Sequence, residues 1–438
     1  MRNDKIENFK ALSDAYQTKT SGSKAHAACY RRVMADSRAT AGIRPSTKEL
    51  VYPIVGERAK GAHIYDLDGN RYVDISMGFG VLLCGHYPDF IKDAMCEQLE
   101  QGIQLGPQAQ WAGEVASLIS ELTGVERVSF YNTGTEAVMM ALRLARGYRR
   151  VKKIVTFENS YHGHYDDVAT VYPIFNRDNT LELKYGKLEA LEIISARADE
   201  IAAVIIEPVQ SSNLALKPKQ FVRELRALTT KLGIPLIFDE ILSGFRIHQG
   251  GAQAWLGVEA DIAVYGKVVG GGLPIGVVAG KAEFLDQVDG GDWSFGDSSL
   301  PLGNRVMSVG TFNKNPLTMA TARAMLLHLK EAGPSLQEQL NKRAQEFFSK
   351  LNDFFDEHDY PVRIESFGAQ FKFVSKKNID QFIYCLLNEG LYIWENRNLF
   401  LSTAHSEEDL AFIQQCVIAS ANKTFRSDVK MPPALETE

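Results

Sequence analysis

The sequence contains little that would support a metal site, a disulfide framework or binding to nucleic acid. Only five of its 438 residues are cysteines, an odd number, and no two of them form a CxxC pair. We therefore expect reduced thiols, with no metal site and no network of disulfides. The formal net charge of −6 gives no electrostatic reason to expect nucleic acid or an anionic membrane as a partner.

The sequence also lacks a segment that could anchor the protein in a membrane or direct its secretion. Its prominent uncharged run, residues 268–280, is too short and too rich in glycine to cross a bilayer. Residues 1–24 are polar and lack the apolar core of a signal peptide. We therefore predict a soluble protein of the cytoplasm.

The length and the order of the patterns predict several domains, because 438 residues exceed one small core. We predict a loosely ordered leader over residues 1–25 and an N-terminal segment with a small β element over 26–105. A large domain over 106–320 and a small α+β domain over 321–438 follow. Apolar strands and amphipathic helices alternate through the large domain. This alternation indicates an α/β fold with a mostly parallel sheet flanked by helices.

Two apolar runs of the large domain end in charged residues that suit one cofactor. Residues 234–240 end in Asp239 and Glu240, and residues 261–267 end in Lys267. Parallel strands bring their carboxyl ends to one edge of the sheet, where α/β folds place ligands. A lysine that forms a Schiff base and a carboxylate that keeps a pyridine nitrogen protonated suit pyridoxal phosphate. Taken alone, Lys267 could equally be a solvated loop lysine.

Two hydroxyl-bearing segments are candidates for binding the phosphate of such a cofactor. Residues 132–136 include Gly134 and Thr135 at the start of a predicted helix, and residues 310–312 include Thr311 before another. Free amide groups and the helix dipole favour an anion at such places. An ordinary helix cap is the alternative at both positions.

Three further side chains belong to the predicted sheet edge. Tyr161 could lie on a flat cofactor ring, although a surface turn is the alternative. His162 beside it is a weak candidate for a general base. Glu207 ends another apolar strand, and its carboxylate would need a cation nearby or would simply be solvated. The chain order of phosphate-binding segment, aromatic residue, two acids, lysine and threonine indicates a pyridoxal-phosphate site more specifically than any one of these features alone.

Across about residues 44–425 the sequence resembles the class III aminotransferases of PLP fold type I. Within that class it looks most like the glutamate-1-semialdehyde aminomutase branch. Residues 42–81, 100–108 and 238–281 look closer still to aminotransferase domains of hybrid polyketide and nonribosomal peptide synthases. Those domains aminate a β-keto acyl chain that a carrier protein holds as a thioester. The resemblance thus implies an acyl carrier protein as partner, with glutamate as the expected amino donor.

The resemblance also implies a role for each site residue. Lys267 would be the Schiff-base lysine, Asp239 would pair with the pyridine nitrogen, and Glu207 would support the ring. The remaining members would contact the cofactor: Tyr161 and Ile241 on its two faces, His162 nearby, and Gly134 and Thr135 at its phosphate. Thr311 would reach the phosphate of the neighbouring subunit, which implies a homodimer.

Two departures from the aminomutase pattern argue against strict aminomutase activity. Residues 166–186 are shorter than the corresponding lid region of aminomutases, and residues 394–406 lack an acidic pattern associated with them. An aminomutase or a transaminase of free ω-amino acids remains the alternative enzyme. A catalytically silent PLP-fold binding module is the alternative of another class. An arginine aimed at the substrate, Arg246 or Arg397, would argue for a free carboxylate rather than a thioester.

Overall fold

A computed structural model describes residues 2–37, 40, 43–169, 178–301, 303 and 306–426. The chain divides into two compact units, a smaller one of Met1–Pro88 with Lys342–Glu438 and a larger one of Asp89–Asn341. The larger unit extends beyond the predicted large domain at both ends. At its start, the helix over Asp89–Gln101 packs against the helix over Pro316–Ala332. Part of the predicted short lid, residues 170–177, lies outside the described residues.

The described part of the chain contains strands in both units. In chain order they are β1 (Gly56–Lys60), β2 (His63–Asp66), β3 (Arg71–Asp74), β4 (Arg127–Tyr131), β5 (Lys153–Phe157), β6 (Thr180–Leu183), β7 (Ile201–Ile206), β8 (Leu236–Asp239), β9 (Ile262–Gly266), β10 (Gly276–Gly280), β11 (Arg363–Phe367), β12 (Gln370–Val374), β13 (Leu391–Tyr392) and β14 (Leu399–Phe400).

The helices complete the layers around these strands. They are α1 (Arg2–Lys19), α2 (Ser21–Tyr30), α3 (Met77–Gly80), α4 (Asp89–Gln101), α5 (Ala112–Thr123), α6 (Gly134–Arg149), α7 (Leu188–Ala196), α8 (Lys219–Leu232), α9 (Gly251–Leu256), α10 (Ala282–Asp289), α11 (Pro316–Ala332), α12 (Ser335–Glu357), α13 (Asp380–Glu389) and α14 (Glu407–Phe425). None of the helices in the described residues has both the length and the apolar character that a membrane crossing requires.

The larger unit is built around a seven-stranded sheet in the order β4-β10-β9-β8-β7-β5-β6. The pairings among β9, β8, β7, β5 and β6 are parallel, whereas β10 runs antiparallel to both of its neighbours. Every residue of β7, β8 and β9 is buried, as expected for strands covered on both faces. The prediction of a mostly parallel sheet is confirmed.

Helices cover both faces of this sheet because successive strand residues point to opposite sides. Ile205 and Ile237 pack into one apolar cluster with residues of α6 such as Ala141. Val204 and Leu236, one position earlier in each strand, pack into a second cluster with residues of α8. The result is a three-layer α/β arrangement whose central strands all end at one edge.

The smaller unit has two small sheets and several helices. One sheet has the order β1-β2-β3-β13, in which β13 is parallel to β3, and the other has the order β11-β12-β14. The turn between β2 and β3 is closed by Asp66, whose Oδ1 accepts the amides of Asp68 at 3.0 Å and Asn70 at 2.8 Å. Gly69 supplies the left-handed conformation that this turn requires, with φ of 78°.

The prediction of a loosely ordered leader over residues 1–25 is wrong for the described residues, which form α1 and the start of α2. Tyr16 is buried, with its ring centroid 5.6 Å from that of Tyr52 and 5.5 Å from that of Tyr384. Asp68 accepts the amide of Gly22 at 2.7 Å, in the first turn of α2. A mostly polar composition therefore gave no sign of two helices, of which α1 buries the ring of Tyr16 and α2 has its first turn capped by the Asp68 carboxylate.

Candidate active site

Three neighbouring parallel strands deliver the predicted charged residues to the same edge of the sheet. Glu207 follows β7, Asp239 ends β8, and Lys267 follows β9. The register places Ile206 beside Phe238 and Asp239 beside Val264. Because these strands are parallel and adjacent, their carboxyl ends meet. The structure therefore brings the lysine and both acids together, as the sequence predicts.

The Lys267 amine lies in an environment that favours its uncharged form. Burial lowers the pKa of Lys267, and the charge of Arg246 lowers it further, while Asp239 and Glu207 act in the opposite direction. The backbone of Lys267 also has a φ of 47°, which a side chain with a Cβ rarely adopts. A neutral, firmly placed amine is the form that attacks an aldehyde.

Asp239 is held in place by two hydrogen bonds. His162 Nδ1 lies 2.7 Å from Asp239 Oδ2, and the amide of Ile241 donates to Oδ1 at 3.1 Å. His162 is buried, and within the described part of the chain its Nε2 has no hydrogen-bond partner. The structure thus pairs His162 with the acid, which gives it a contact that the sequence did not predict.

Glu207 connects its strand to the segment that carries Tyr161. Its Oε2 accepts the amide of Tyr161 at 2.9 Å, and its Oε1 accepts the amide of Ser211 at 3.1 Å. Burial raises the pKa of Glu207, the nearby His162 lowers it, and Asp239 raises it further. The hydrogen bond to Glu207 fixes the backbone of Tyr161. The residue is 52% exposed, and its predicted aromatic contact stays a prediction.

The start of α6 combines a helix cap with free amides. Thr133 Oγ1 accepts the amide of Glu136 at 3.2 Å, and Glu136 Oε2 accepts the amides of Asn132 and Thr133 at 2.7 and 3.2 Å. The cap predicted as an alternative therefore exists. Among the described residues, the amides of Gly134 and Thr135 have no protein acceptor. These two donors at a helix start can bind an anion.

Glycines allow Ile241 and the segment that carries Tyr161 to approach the start of α6 closely. A Cβ added to Gly134 would lie 2.6 Å from Ile241 Cδ1, and one added to Gly163 would collide with Thr135 Oγ1. The amide of His164 also lies 3.3 Å from Thr135 Oγ1. The predicted cofactor-binding residues from three separate segments are thus neighbours.

Thr311 is placed differently from the other predicted residues. It is exposed, and no hydrogen bond or ion pair of the described residues joins it to Lys267, Asp239 or Glu207. The alternative that Thr311 caps the next helix is wrong, because Asn315 caps α11 by accepting amides of its first turn. A contact made by Thr311 with a second subunit stays a prediction.

Sequence reasoning missed Glu240, which shapes the loop that follows β8. Its carboxylate accepts the amides of Ala252 and Gln253 and the hydroxyl of Ser243. Burial raises its pKa to about 7. Asp239 and Glu240 point to opposite sides because they are consecutive in an extended chain. The alternation of side chains along a strand is the pattern from which the sequence could have distinguished Asp239, in the site, from Glu240, which supports the loop.

The two arginines singled out in the sequence lie in different environments. Arg246 is only 2% exposed, and its charge acts on Lys267. Arg397 is exposed and its Nε lies 3.2 Å from Glu395 Oε2. Arg246 is therefore a buried cation close enough to influence the amine.

Comparison with known proteins identifies relatives over most of the chain. A model of the family described as Aminotransferase class-III matches residues 45–172 and 167–406. The glutamate-1-semialdehyde 2,1-aminomutase of Archaeoglobus fulgidus is 34% identical over 392 residues, which cover 82% of this chain and 90% of that protein. The enzyme of the same name from Sulfurihydrogenibium azorense is 37% identical over 396 residues, covering 82% and 89%.

Solved structures show the same fold. The β-phenylalanine aminotransferase of Variovorax paradoxus has a TM-score of 0.83 and 27% identity, covering 96% of this chain and 98% of that one. A transaminase with PLP bound has a TM-score of 0.83 and 27% identity, covering 93% and 99%. These likenesses confirm the predicted α/β fold of PLP fold type I. The site fits the cofactor, since it offers an amine, a carboxylate and free amides for a phosphate.

Proposed function

The chain belongs to the class-III aminotransferase family, and on this basis we propose that it acts as a glutamate-1-semialdehyde 2,1-aminomutase. It is a pyridoxal-phosphate enzyme, so the silent binding module considered from the sequence is excluded. The observation that carries the proposal is the identity of 34% and 37% to two such aminomutases over 82% of the chain. Arg246 is buried and its charge acts on Lys267, so an arginine lies within electrostatic range of the amine.

Each site residue has a role in this proposal. Bound pyridoxal phosphate supplies an aldehyde and an electron-withdrawing ring. Lys267 would hold the aldehyde and would take a proton from one substrate carbon and return it to another, a role that the lowering of its pKa by burial favours. Asp239 would hold the ring nitrogen, and Gly134 and Thr135 would hold the phosphate through their amides. Tyr161 would cover one face of the ring.

The other predicted residues would support these groups. Ile241 would cover the second ring face, since it already lies against Gly134. Glu207 would position the Tyr161 segment through its hydrogen bond to that amide. His162 would keep Asp239 oriented. A carboxylate held by two donors has little freedom to turn away from the ring nitrogen.

A homodimer is part of the proposal. Large apolar side chains are exposed along residues 293–312, including Phe295 at 92% and Val309 at 78%. Thr311 lies in the same exposed stretch, where a second subunit would cover it. In this arrangement Thr311 would contribute its hydroxyl to the phosphate site of the partner.

Mixed dimers test the shared site. Lys267→Ala and Thr311→Ala subunits would each be inactive or weak alone. If Thr311 serves the neighbouring subunit, a mixed dimer regains one intact site, and its activity approaches half that of the wild type. If Thr311 serves its own subunit, or if the protein is a monomer by sedimentation, the mixture recovers nothing.

The reaction itself is tested with glutamate 1-semialdehyde labelled with ¹⁵N. The proposal predicts that the label moves from carbon 2 to carbon 1 without a second amino donor, which NMR detects directly. Lys267→Ala should abolish the transfer. Lys330→Ala is the matched control, because Lys330 forms an exposed ion pair with Glu121. Retention of the label on carbon 2 by active protein would refute the proposal.

A second candidate is the transfer of an amino group from glutamate to a β-keto acyl thioester on an acyl carrier protein in natural-product biosynthesis. It is supported by the resemblance of residues 42–81, 100–108 and 238–281 to synthase domains. A solved β-phenylalanine aminotransferase of the same fold adds support, since its named substrate is a β-amino acid. Transamination of a free ω-amino acid is related chemistry on the same scaffold.

One further assay separates these candidates. A carrier protein loaded with a β-ketoacyl chain is incubated with the enzyme, pyridoxal phosphate and glutamate. Replacement of the ketone by an amine changes the mass of the loaded carrier. Amination of the carrier with no rearrangement of the semialdehyde would favour the second candidate over the first.

A further inference from the structure

The loop over residues 241–251 begins where β8 leaves the sheet. Asp239 forms the last pair in the register between β8 and β9, and the amide of Glu240 donates to Val264 O at 2.9 Å. After this hydrogen bond the chain turns away from the sheet and next becomes helical at α9. The position of Ile241, the first residue of the loop, therefore depends on contacts that the loop itself makes.

Ile241 packs against two glycines of the site. A Cβ added to Gly134 would lie 2.6 Å from Ile241 Cδ1, and one added to Gly266 would lie 3.3 Å from Ile241 Cγ2. Gly134 opens α6, and Gly266 directly precedes Lys267. The side chain of Ile241 thus contacts both the segment proposed to bind the phosphate and the segment that carries the lysine. In so closely packed a place, a shift of the loop would change both sets of contacts at once.

Glu240 joins the two ends of this loop through one buried carboxylate. Its Oε2 accepts the hydroxyl of Ser243 at 3.1 Å and the amide of Ala252, and its Oε1 accepts the amide of Gln253 at 3.1 Å. Ser243 lies two residues after Ile241, whereas the two amides belong to the first turn of α9. The Glu240 side chain is 0% exposed, so water cannot readily replace a hydrogen bond that is lost there.

The loop closes tightly around this carboxylate. Gly251 has a φ of 73°, and a Cβ added to it would lie 2.5 Å from Glu240 Oε2. Only glycine combines the left-handed conformation with so close an approach. The amide of Gly244 also donates to Glu240 O at 2.8 Å. Both the side chain and the backbone of Glu240 therefore hold the loop in shape.

Other contacts hold the middle of the loop. Gln337 Nε2 donates to Phe245 O at 3.0 Å. Phe245 is buried, and its ring centroid lies 5.3 Å from that of Tyr265. We therefore expect the loop to stay folded when Glu240 is changed, while its first residues, including Ile241, become freer to move.

We propose that Glu240 is a positioning residue of the cofactor site, which holds Ile241 against Gly134 and Gly266 by closing the loop. It acts through Ile241, since its own side chain points away from that of Asp239. The inference rests on the ring-face role proposed above for Ile241. It does not depend on whether the substrate is rearranged or transaminated.

Equilibrium binding of pyridoxal phosphate to the apoenzyme tests this role without any substrate. At about pH 8 the Glu240 side chain is ionised, since its pKa lies at about 7. Glu240→Gln keeps the size of the side chain but replaces one acceptor oxygen with a donor, so one amide of α9 loses its partner. The affinity should fall by about tenfold, and the visible circular dichroism of the bound cofactor should decrease. Wild-type affinity and dichroism would overturn the proposal.

A double-mutant cycle separates positioning from an independent effect. Ile241→Ala removes the contacts with both glycines, so in this background Glu240→Gln should weaken binding by less than about twofold. Equal fold-changes in the two backgrounds would show that Glu240 does not act through Ile241 and would overturn the proposal. Wild-type affinity of Ile241→Ala would refute the ring-face role on which the proposal rests. Failure of the isotope-transfer assay, in contrast, would leave these binding results unaffected.

Asp261→Asn is the matched control for a general loss of stability. Asp261 is a buried carboxylate at the end of β9 opposite to Lys267, and its Oδ2 accepts the amide of Leu236 at 2.8 Å. This variant should lower the melting temperature but keep its cofactor affinity within about twofold of the wild type. A loss of affinity equal to that of Glu240→Gln would overturn the proposal.

Ser243→Ala provides a milder test that does not disturb the carboxylate. It removes the hydroxyl that donates to Glu240 and leaves the two amides of α9 in place. The cofactor affinity should fall by about threefold, because one of the hydrogen bonds that close the loop is lost. Wild-type affinity in a folded Ser243→Ala protein would overturn the proposed link between Glu240 and Ile241.

Discussion

Removal of the hydrogen bond between His162 and Asp239 should slow catalysis while leaving substrate binding largely intact. In wild-type protein His162 Nδ1 lies 2.7 Å from Asp239 Oδ2, and both side chains are buried. His162→Leu leaves Asp239 with the amide of Ile241 as its remaining protein donor. The carboxylate can then rotate away from the position in which it would hold the ring nitrogen.

The size of the effect follows from the kind of bond that is lost. A hydrogen bond to a charged group contributes about 1.5–3 kcal/mol. If all of this is lost in the transition state, kcat falls by roughly 10- to 150-fold, since 1.36 kcal/mol corresponds to a factor of ten. KM should change little, because His162 contacts Asp239 rather than the substrate.

Single-turnover kinetics with the cofactor-loaded enzyme measure this effect apart from product release. His162→Asn is the conservative variant, and its amide can still donate to Asp239, so it should recover part of the rate. His164→Leu is the matched control, because this nearby histidine is exposed and does not contact Asp239. A His162→Leu enzyme whose kcat lies within twofold of the wild type would refute the reasoning.

Gly134→Ala should lower cofactor affinity by about tenfold, because its Cβ would lie 2.6 Å from Ile241 Cδ1, and Ile241→Val should restore part of the affinity in equilibrium binding assays. Arg246→Met should raise the pKa of Lys267, since the arginine charge lowers it. The pH profile for capture of the cofactor by apoenzyme should then move to higher pH. Glu240 is protonated in the folded protein below its pKa of about 7, so thermal stability should fall as pH rises from about 4.5 to about 7. Glu240→Gln should flatten that slope, and an unchanged slope would count against the burial argument.

The charged residues at the sheet edge were predictable because each one directly follows an apolar run of consecutive residues. Apolar runs demand burial on both faces, and the first polar residues after them must emerge at the carboxyl end. This reasoning placed Lys267 beside Asp239 and Glu207, and the adjacency of β7, β8 and β9 confirms it. The prediction depended on one inference, that the strands are parallel, because only parallel strands bring their carboxyl ends to the same edge.

The polar composition of residues 1–25 led to the wrong prediction of a loosely ordered leader. Residues 1–25 are mostly polar, and among their described side chains Tyr16 is the large apolar one that is buried, together with the small polar Thr20 and Ser23. The partners of Tyr16 are Tyr52 and Tyr384, which lie far away in the sequence. The local sequence pattern gives no sign of these contacts with distant aromatic rings.

By itself, the sequence determined the alternation of strands and helices, the lysine and the two acids at one sheet edge, and the glycine and threonine at the start of α6. These features depend on local periodicity and on the residues that follow each strand. The tertiary structure alone decided that His162 pairs with Asp239, that Glu240 binds the loop amides, and that Arg246 acts on Lys267. Such contacts join segments many residues apart, and only the packing of the folded chain selects which polar groups meet.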